Sequence, residues 1–304
     1  MRITIPRQSK QQGVALLVVI WMIMVMLTLT ASLIYATRTE NGMVNYTRST
    51  ATARALADAA THYTVLQLFL PQTERDLKIG GTPLWWEYAQ HKIEIRVVGE
   101  NGLIDLNFAS RDLIKEALKK AGLEDQACEN MLDLIEDFRD VDDLKRLNGA
   151  EDKDYEQAGL LAGSKDAPFE RIEELQQVMG MTPTLYQVLT RYFTVNSGVA
   201  GINPMLAPRQ TLLILAEGDE AKVDDYIKRR DEANGDYIQP DFGKNFLENT
   251  QQFFYRLQIR IYSDDNAPPY FEERSLKLTP EKNPPFVTYF KQMQESKALF
   301  GQGS

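Results

Sequence analysis

The pattern of apolar and polar positions predicts a long N-terminal helix that begins within a membrane. Residues 14–35 contain no charged side chain. At about 1.5 Å of rise per residue, this run is long enough to cross a hydrocarbon core of about 30 Å. Apolar residues then recur at three- and four-residue steps as far as Leu70, and Pro71 follows. We therefore predict a single helix of about 55 residues whose second half projects from the membrane.

Alternating patterns in two distant parts of the chain predict a small antiparallel sheet. Residues 91–98 alternate with period two, and the turn at residues 99–102 contains Asn-Gly, so a hairpin returning through residues 103–107 is expected. Residues 253–262 alternate again, and residues 272–278 are expected to pair with them.

The region between these strands, residues 108–247, has a helical pattern. Ser110 has the residue type and the position of an N-cap. The predicted helices cover residues 110–121, 124–138, 172–179, 185–193, 208–217 and 221–233. The predicted fold class is therefore α+β, with a long N-terminal helix, a small antiparallel sheet and a large all-α insertion domain between the strands.

The flanks of the apolar run predict how the chain is placed in a membrane. A secretory signal has an apolar region of only about 7–15 residues, followed by a small-x-small cleavage site. The run here is longer, and the best candidate site, Ile34-Tyr35-Ala36, has a large side chain where a small one is required. Basic residues are in excess before the run, so we expect the N-terminus in the cytoplasm and the rest of the chain across the membrane.

Composition argues against several classes of function. The 304 residues carry a formal net charge of −9, and loss of the first 13 residues, three of them basic, would take it to −12. This charge disfavours nucleic-acid binding, including through residues 175–193 interpreted as a helix-hairpin-helix. His62 and His91 belong to no metal-spaced pair, and no nucleophile or phosphate-loop motif is present. We therefore expect neither an enzyme nor a nucleic-acid partner.

An acidic stretch at residues 133–156 is the main candidate for chemistry. It contains ten carboxylates and four basic side chains. Asp133, Asp137 and Asp140 follow one another at steps of four and three, on one face of the predicted helix. Clustered carboxylate oxygens suit Ca²⁺, which takes about six to eight oxygen ligands, although the spacing is not that of an EF-hand. A solvated acidic surface is the alternative that the residues leave open.

The N-terminal segment resembles a type IV prepilin leader. Residues 1–13 are basic and polar and end in Gly13, directly before the apolar helix. The resemblance implies that a prepilin peptidase cleaves after Gly13 and that the new N-terminus, Val14, is methylated. Most pilin-like proteins have a glutamate at the fifth mature position, where this chain has Val18. That glutamate pairs with the N-terminal amine of the preceding subunit, so its absence implies a subunit with nothing ahead of it.

Several later segments resemble, in the same order, the K-type minor pseudopilin family of type II secretion. These segments are residues 102–107, 137–142 with 149–152, 174–175 with 180–182, and 202–204. The resemblance implies a pilin-like fold. Its expected parts are a leader at residues 1–13, a transmembrane half-helix at 14–36, the spine helix and first strands at 37–107, the all-α insertion domain at 108–247, and the remaining strands and tail at 248–304.

The resemblance also implies a structural role at the tip of the type II secretion pseudopilus, where the chain would initiate assembly and support protein export across the outer membrane. The implied partners are the I- and J-type minor pseudopilins, the major pseudopilin, the prepilin peptidase and the inner-membrane assembly platform. The chain would cross the bacterial inner membrane once, with its C-terminal domain in the periplasm. A minor tip subunit of a type IV pilus, engaged in adhesion or ligand binding, is the alternative left open.

Calcium is the cofactor that the resemblance implies, because the insertion domain of the family carries calcium sites. In this chain, carboxylates of the acidic stretch are the candidate ligands, completed by backbone carbonyls and water. The expected ligands are Asp137, Asp140, Asp142, Glu151 and Asp152.

Overall fold

The computed structural model describes residues 12–160, 162–233, 235–250, 253–262 and 269–294. The chain divides into two compact units, residues 1–55 and residues 56–304. Most of the expected leader, residues 1–11, and the C-terminal tail, residues 295–304, lie outside the described residues. Leader cleavage and the domain boundaries therefore stay predictions.

The N-terminal helix, α1, covers Gln12–Phe69, a length of 58 residues, which confirms the predicted long helix. Its stretch Val14–Thr37 has a mean hydropathy of 2.7, and none of its most apolar window is buried. This part is therefore long and apolar enough to cross a membrane. Thr30 lies within that stretch and donates its hydroxyl to the carbonyl oxygen of Met26 at 2.7 Å. Such a bond keeps a hydroxyl group satisfied where no water is available.

Five strands form one antiparallel sheet. The strands of the described residues are β1 (Leu84–Tyr88), β2 (His91–Gly99), β3 (Ile104–Asp105), β4 (Phe193–Thr194), β5 (Phe254–Tyr262), β6 (Tyr270–Leu278) and β7 (Phe286–Gln294). The sheet has the order β1-β2-β5-β6-β7. The predicted pairing of the strand near residue 257 with its successor is confirmed, since β5 and β6 are antiparallel neighbours. No alternating pattern predicted the two edge strands, β1 and β7.

One face of the sheet packs against the part of α1 that follows residue 55. Tyr63 of α1 stacks on Trp86 of β1, with ring centroids 4.7 Å apart. Arg274 of β6 donates to the Asp58 carboxylate at 2.6 Å and to the Thr61 hydroxyl at 2.9 Å. Three side chains of β2 on the same face as Trp86 are fully buried: Ile93, Ile95 and Val97.

The hairpin predicted at Asn101-Gly102 is wrong. Glu100–Gly102 forms one 3₁₀ turn, and the strand that follows, β3, pairs in parallel with β4 instead of returning along β2. A type I′ turn requires positive φ at both central residues, and neither Asn101 nor Gly102 has it. Gly102 serves close packing instead, because a Cβ there would lie 2.4 Å from the carbonyl oxygen of Leu206.

The region between the two parts of the sheet is mainly helical, as predicted. Its α-helices are α2 (Arg111–Lys120), α3 (Asp125–Arg139), α4 (Asp152–Gln157), α5 (Pro183–Leu189), α6 (Arg209–Leu215) and α7 (Glu220–Glu232). Ser110 caps α2 as predicted, since its hydroxyl accepts a hydrogen bond from the Leu113 amide at 3.3 Å. The prediction for residues 185–193 is partly wrong, because α5 ends at Leu189 and residues 193–194 form β4. Residues 172–177 form a 3₁₀ helix.

An apolar core holds these helices together. Its fully buried members include Leu113, Leu132, Ile135, Leu189, Leu212 and Val223. Cys128, the single cysteine of the chain, is also fully buried there, and burial raises the pKa of its thiol. The cysteine therefore contributes to packing, in the manner of a small apolar residue.

A buried ion pair, the junction pair Glu100 and Arg256, joins the helical region to the sheet. Arg256 of β5 donates to the Glu100 carboxylate at 3.2 Å. It also donates to the carbonyl oxygens of Thr190 and Phe193, at 2.9 and 3.1 Å. Burial alone would lower the pKa of the Arg256 guanidinium, but Glu100 and Glu273 raise it. Arg256 therefore stays positively charged in its buried position, because Glu100 and Glu273 stabilise the charge.

Candidate functional site

The acidic stretch lies along α3 and the loop that follows it. Asp133 and Asp137 are among the buried residues of α3. Asp133 is supplied with donors: Arg111 Nη2 at 2.7 Å, Asn148 Nδ2 at 2.9 Å and the Asn148 backbone amide at 3.1 Å. Burial alone would raise the pKa of Asp133, but these donors lower it. Asp133 is therefore a satisfied structural carboxylate.

Arg146 connects three further carboxylates at the end of α3. Its Nη1 donates to Asp137 at 2.6 Å and to Asp140 at 2.5 Å, and its Nε lies 2.9 Å from Glu136. Its backbone amide also donates to Asp137, at 3.1 Å. Burial alone would lower the pKa of Arg146, but Asp140 and Asp137 raise it. A positive charge of the chain itself thus lies among the carboxylates expected to bind calcium.

Glu151 lies among negative charges, whereas Asp137 and Asp140 contact the positive charge of Arg146. It is only 7% exposed. Burial and the negative charges of Asp137, Asp140 and Asp166 raise its pKa to about 7. Within the described residues, three buried carboxylate oxygens have no hydrogen-bond partner: Asp140 Oδ1, Glu151 Oε1 and Asp166 Oδ1. A buried oxygen without a donor calls for a proton, a water molecule or a cation.

The two remaining predicted ligands differ in exposure and contacts. Asp142 is exposed, and its carboxylate accepts a hydrogen bond from the Leu144 amide at 2.9 Å, which makes a local turn. Asp152 accepts a hydrogen bond from the Ser164 hydroxyl at 3.0 Å, and the same hydroxyl lies 3.5 Å from Glu151.

The predicted ligand set is therefore only partly assembled. The structure links Asp137 with Asp140, and Glu151 with Asp152, while Asp142 stays in solvent. In the part of the chain that the structure describes, no group of three or more His, Cys, Asp or Glu side chains has the geometry to hold a metal ion. The donor atoms still fit a hard cation, because they are carboxylate oxygens and some of them lack partners.

Gly149 shows how tightly the loop closes on this site. A Cβ at this position would lie 1.8 Å from Asp137 Oδ2. Any other residue would therefore have to displace either the loop or the Asp137 carboxylate. The φ of Gly149 is not positive, so backbone conformation does not require a glycine here. The glycine is required because the loop approaches the Asp137 carboxylate closely.

Sequence reasoning missed the roles of Arg146 and Asp166. Arg146 is one of four cations among ten carboxylates, and no spacing rule indicates which carboxylates it contacts. Asp166 comes from a later loop without periodicity. It is brought to the site because its backbone amide and that of Lys165 both donate to the carbonyl oxygen of Phe138, at 3.2 and 2.9 Å.

The residues predicted for processing and fibre position lie at the start of α1. Gly13, Val14 and Val18 are all within the helix, and Val14 and Val18 are exposed. Val18 lies in the stretch that is apolar enough to cross a membrane, and it brings no carboxylate to that stretch.

The architecture is that of a pilin-like protein with a helical domain inserted between its strands. Residues 99–198 match the family described as "Type II secretion system (T2SS), protein K". This match begins at the last residue of β2, passes through the acidic stretch and ends shortly after β4. The family resemblance seen in the sequence is thereby confirmed over residues 99–198.

A curated relative and a solved structure agree with this match. "Putative type II secretion system protein K" of Escherichia coli strain K12 is 27% identical over 207 residues. The alignment spans 62% of this chain and 63% of the relative, which is less than two thirds of the relative's length. The crystal structure of the GspK-GspI-GspJ complex from the enterotoxigenic Escherichia coli type II secretion system has a similar fold. Its TM-score is 0.60 at 14% identity, covering 83% of this chain and 99% of that chain.

Proposed function

We propose that the chain is a minor pseudopilin of a type II secretion system, located at the tip of the pseudopilus. There it initiates assembly of the fibre and supports protein export across the outer membrane. The protein K match at residues 99–198 is the observation that carries this proposal. The same match supports a structural role and disfavours a catalytic one. It also favours type II secretion over the type IV pilus alternative.

The membrane half of the proposal rests on α1. A helix with an uncharged stretch at its start supports a single crossing of the inner membrane, with the N-terminus in the cytoplasm and the later residues in the periplasm. Cleavage after Gly13 would leave Val14 as a methylated N-terminus. Mass spectrometry of the mature protein would then show loss of residues 1–13, and Gly13→Leu would retain them.

Val18 supports placement at the tip. A subunit below another one would gain from a carboxylate that neutralises the amine ahead of it, and Val18 supplies none. We propose that the I- and J-type minor pseudopilins pack along α1 and that the major pseudopilin follows below. The similar solved structure contains GspI and GspJ together with GspK, which supports this choice of partners.

We further propose that the acidic site binds Ca²⁺. Asp137, Asp140, Asp142, Glu151 and Asp152 would hold the ion, and Asp166 is placed to contribute a further oxygen. The ion would neutralise mutually repelling carboxylates of α3 and of the loop that follows it. Support comes from the three carboxylate oxygens without donors and from the raised pKa of Glu151. Arg146 contacts Asp137 and Asp140, so it would have to give up these contacts in part.

The test of the proposed function is deletion of the gene in its own host. We expect secretion of type II cargo into the medium to stop, while type IV pilus assembly and twitching continue. The wild-type chain should restore secretion, and Gly13→Leu, which keeps the soluble domain unchanged, should not. Normal secretion together with lost pilus-dependent adhesion would overturn the proposal in favour of the type IV pilus alternative.

A further inference from the structure

The loop between α3 and α4 exposes three aliphatic side chains within seven positions of the chain. Val141, Leu144 and Leu147 are 81%, 77% and 93% exposed. Among the described residues from 56 onward, they are the three most exposed large apolar side chains. Single exposed apolar residues are ordinary on protein surfaces, whereas a cluster of them marks an interaction site. We call these three residues the apolar loop.

The chain around the apolar loop is fixed by polar contacts, so the exposure belongs to a defined conformation. Arg146, between Leu144 and Leu147, is held by Asp137 through both its backbone amide and its guanidinium. Asn148 donates twice to Asp133, at 2.9 and 3.1 Å. Lys145 donates to Asp154 at 2.7 Å. Lys145, Arg146 and Asn148 therefore contact the rest of the domain, and the three aliphatic side chains are left towards solvent.

An ordered surface of this kind has a reduced entropic cost of binding. The backbone and the anchoring side chains are already in place, so a partner would order only the aliphatic side chains. In an unstructured connection, by contrast, exposed leucines would have to be ordered together with their backbone when a partner binds.

The charges beside the apolar loop restrict the chemistry of the partner. Asp142 and Asp143 are exposed, directly between Val141 and Leu144. Anionic lipid headgroups would be repelled by these carboxylates, which argues against a membrane surface. A second copy of the loop would bring the same negative charges together, which argues against self-association. A surface with basic side chains around an apolar centre would match both features.

We propose that the apolar loop docks into an apolar pocket rimmed by lysine or arginine side chains on another folded protein. The three aliphatic side chains would fill the pocket, and Asp143 would face the basic rim. Such complementarity supplies both burial of apolar surface and selection of the partner. The surface lies beside the proposed metal site and shares Asp142 and the contacts of Arg146 with it, but neither the three aliphatic residues nor Asp143 supplies a ligand.

The experiment places a photoreactive p-benzoylphenylalanine at Leu144 or at Leu147 of the full chain in its own host. Leu160 serves as the control position, because it is an exposed apolar residue of the same domain outside the loop. We expect both loop positions to give one and the same protein adduct and Leu160 to give none. The cross-linked peptide should map to an apolar pocket flanked by lysine or arginine.

Two variants decide whether the adduct reflects docking. Asp143→Lys should reduce its yield at least fivefold, and Leu144→Ser, tested with the photoreactive group at Leu147, should reduce it to a similar extent. Both change exposed residues, and an unaltered thermal unfolding profile would show that the fold is retained. Adducts with lipid or with a second copy would overturn the proposal. The proposal would also be overturned if no adduct formed, if the contact site were acidic or wholly polar, or if charge reversal left the adduct yield unchanged.

Discussion

Two buried carboxylates of this chain, Glu100 and Glu151, have different surroundings. Glu100 is fully buried and accepts hydrogen bonds from Arg256 and from the Ser275 hydroxyl, at 3.2 and 3.3 Å. Glu151 is almost as buried, yet its Oε1 has no donor within the described residues, and its pKa is raised to about 7. Both carboxylates are buried; Glu100 faces the guanidinium of Arg256, whereas Glu151 faces the carboxylates of Asp137 and Asp140.

The pair Glu100 and Arg256 is a permanent contact, whereas the surroundings of Glu151 can change with pH and with bound cations. The junction pair, Glu100 and Arg256, connects the sheet to the helical region and has its charges neutralised within the chain. At the acidic site, Arg146 neutralises Asp137 and one oxygen of Asp140, while Glu151 is left facing negative charge. We therefore expect the junction pair to govern stability under all conditions, and the acidic site to respond to pH and to cations.

The largest effect is expected from breaking the junction pair. Arg256→Met would leave Glu100 buried without a cation and two carbonyl oxygens without their donor, and should cost about 3–5 kcal/mol of unfolding free energy. Denaturant unfolding of the full-length chain in mild detergent measures this. Lys277→Met is the control on the neighbouring strand, since that lysine is partly exposed and makes a cation–π contact with Phe254. Equal losses in the two variants would contradict the role given to the junction pair.

The next effect is a pH dependence that belongs to Glu151. Its pKa in the folded chain, about 7, lies above the ordinary value of 4.5, so the folded state binds the proton more tightly between these values. The associated stability is complete below pH 4.5 and is lost as the pH rises through 7, a change of the order of 3 kcal/mol.

Glu151→Gln should remove this loss while it keeps the shape of the side chain. We expect the unfolding free energy of the wild type, measured with chelator, to fall more steeply from pH 4.5 to pH 7.5 than that of the variant. Parallel curves for the two proteins would show that Glu151 is not held in a negative environment.

Calcium should offset this loss. A cation that binds only the folded state stabilises it by about 2.7 kcal/mol at a hundredfold excess over Kd. Unfolding at pH 7.5 with calcium or with chelator tests this, and magnesium should have a smaller effect because it demands strict octahedral geometry. Asp140→Ala with Asp142→Ala should abolish the gain. Asp225→Ala with Asp241→Ala, which removes the same charge elsewhere, should leave it intact, and an equal gain in all three proteins would contradict the site.

The smallest effect concerns competition between Arg146 and the cation. Arg146→Gln should weaken the metal-free fold but lower the calcium Kd by about tenfold, which corresponds to about 1.4 kcal/mol. Lys145→Gln is the matched control, since its partner Asp154 lies outside the predicted ligand set. Calorimetric titration of both variants gives the two Kd values. A weaker affinity after Arg146→Gln would mean that the arginine supports the site.

Local pattern predicted the parts of the fold that depend on periodicity. The long helix α1, the cap at Ser110 and the strands β5 and β6 follow from apolar spacing that the tertiary structure reinforces. The hairpin at Asn101-Gly102 failed, because packing of Gly102 against the backbone of Leu206 outweighed the turn preference of the dipeptide. That contact joins residues about a hundred positions apart, and no local rule anticipates it.

The sequence predicted that the acidic site is rich in carboxylates, but it did not predict which carboxylates pair with Arg146 and which lack a partner. Ten carboxylates in one stretch indicated a cation, and the structure shows that Arg146 already serves part of that need. Which carboxylates lack partners depends on the backbone bonds that bring Asp166 beside Glu151. These contacts are set by the fold of the whole domain.

The tip position is the central claim, and counting labelled copies along single pseudopili tests it most directly. A fluorescent or gold label attached to an exposed residue of the full chain, Leu160→Cys for example, should be read against a label on the major subunit. We predict one or very few copies of this chain, all at one end of each fibre, while the major subunit is labelled along the whole length. Regular labelling of this chain along the shaft would contradict the account.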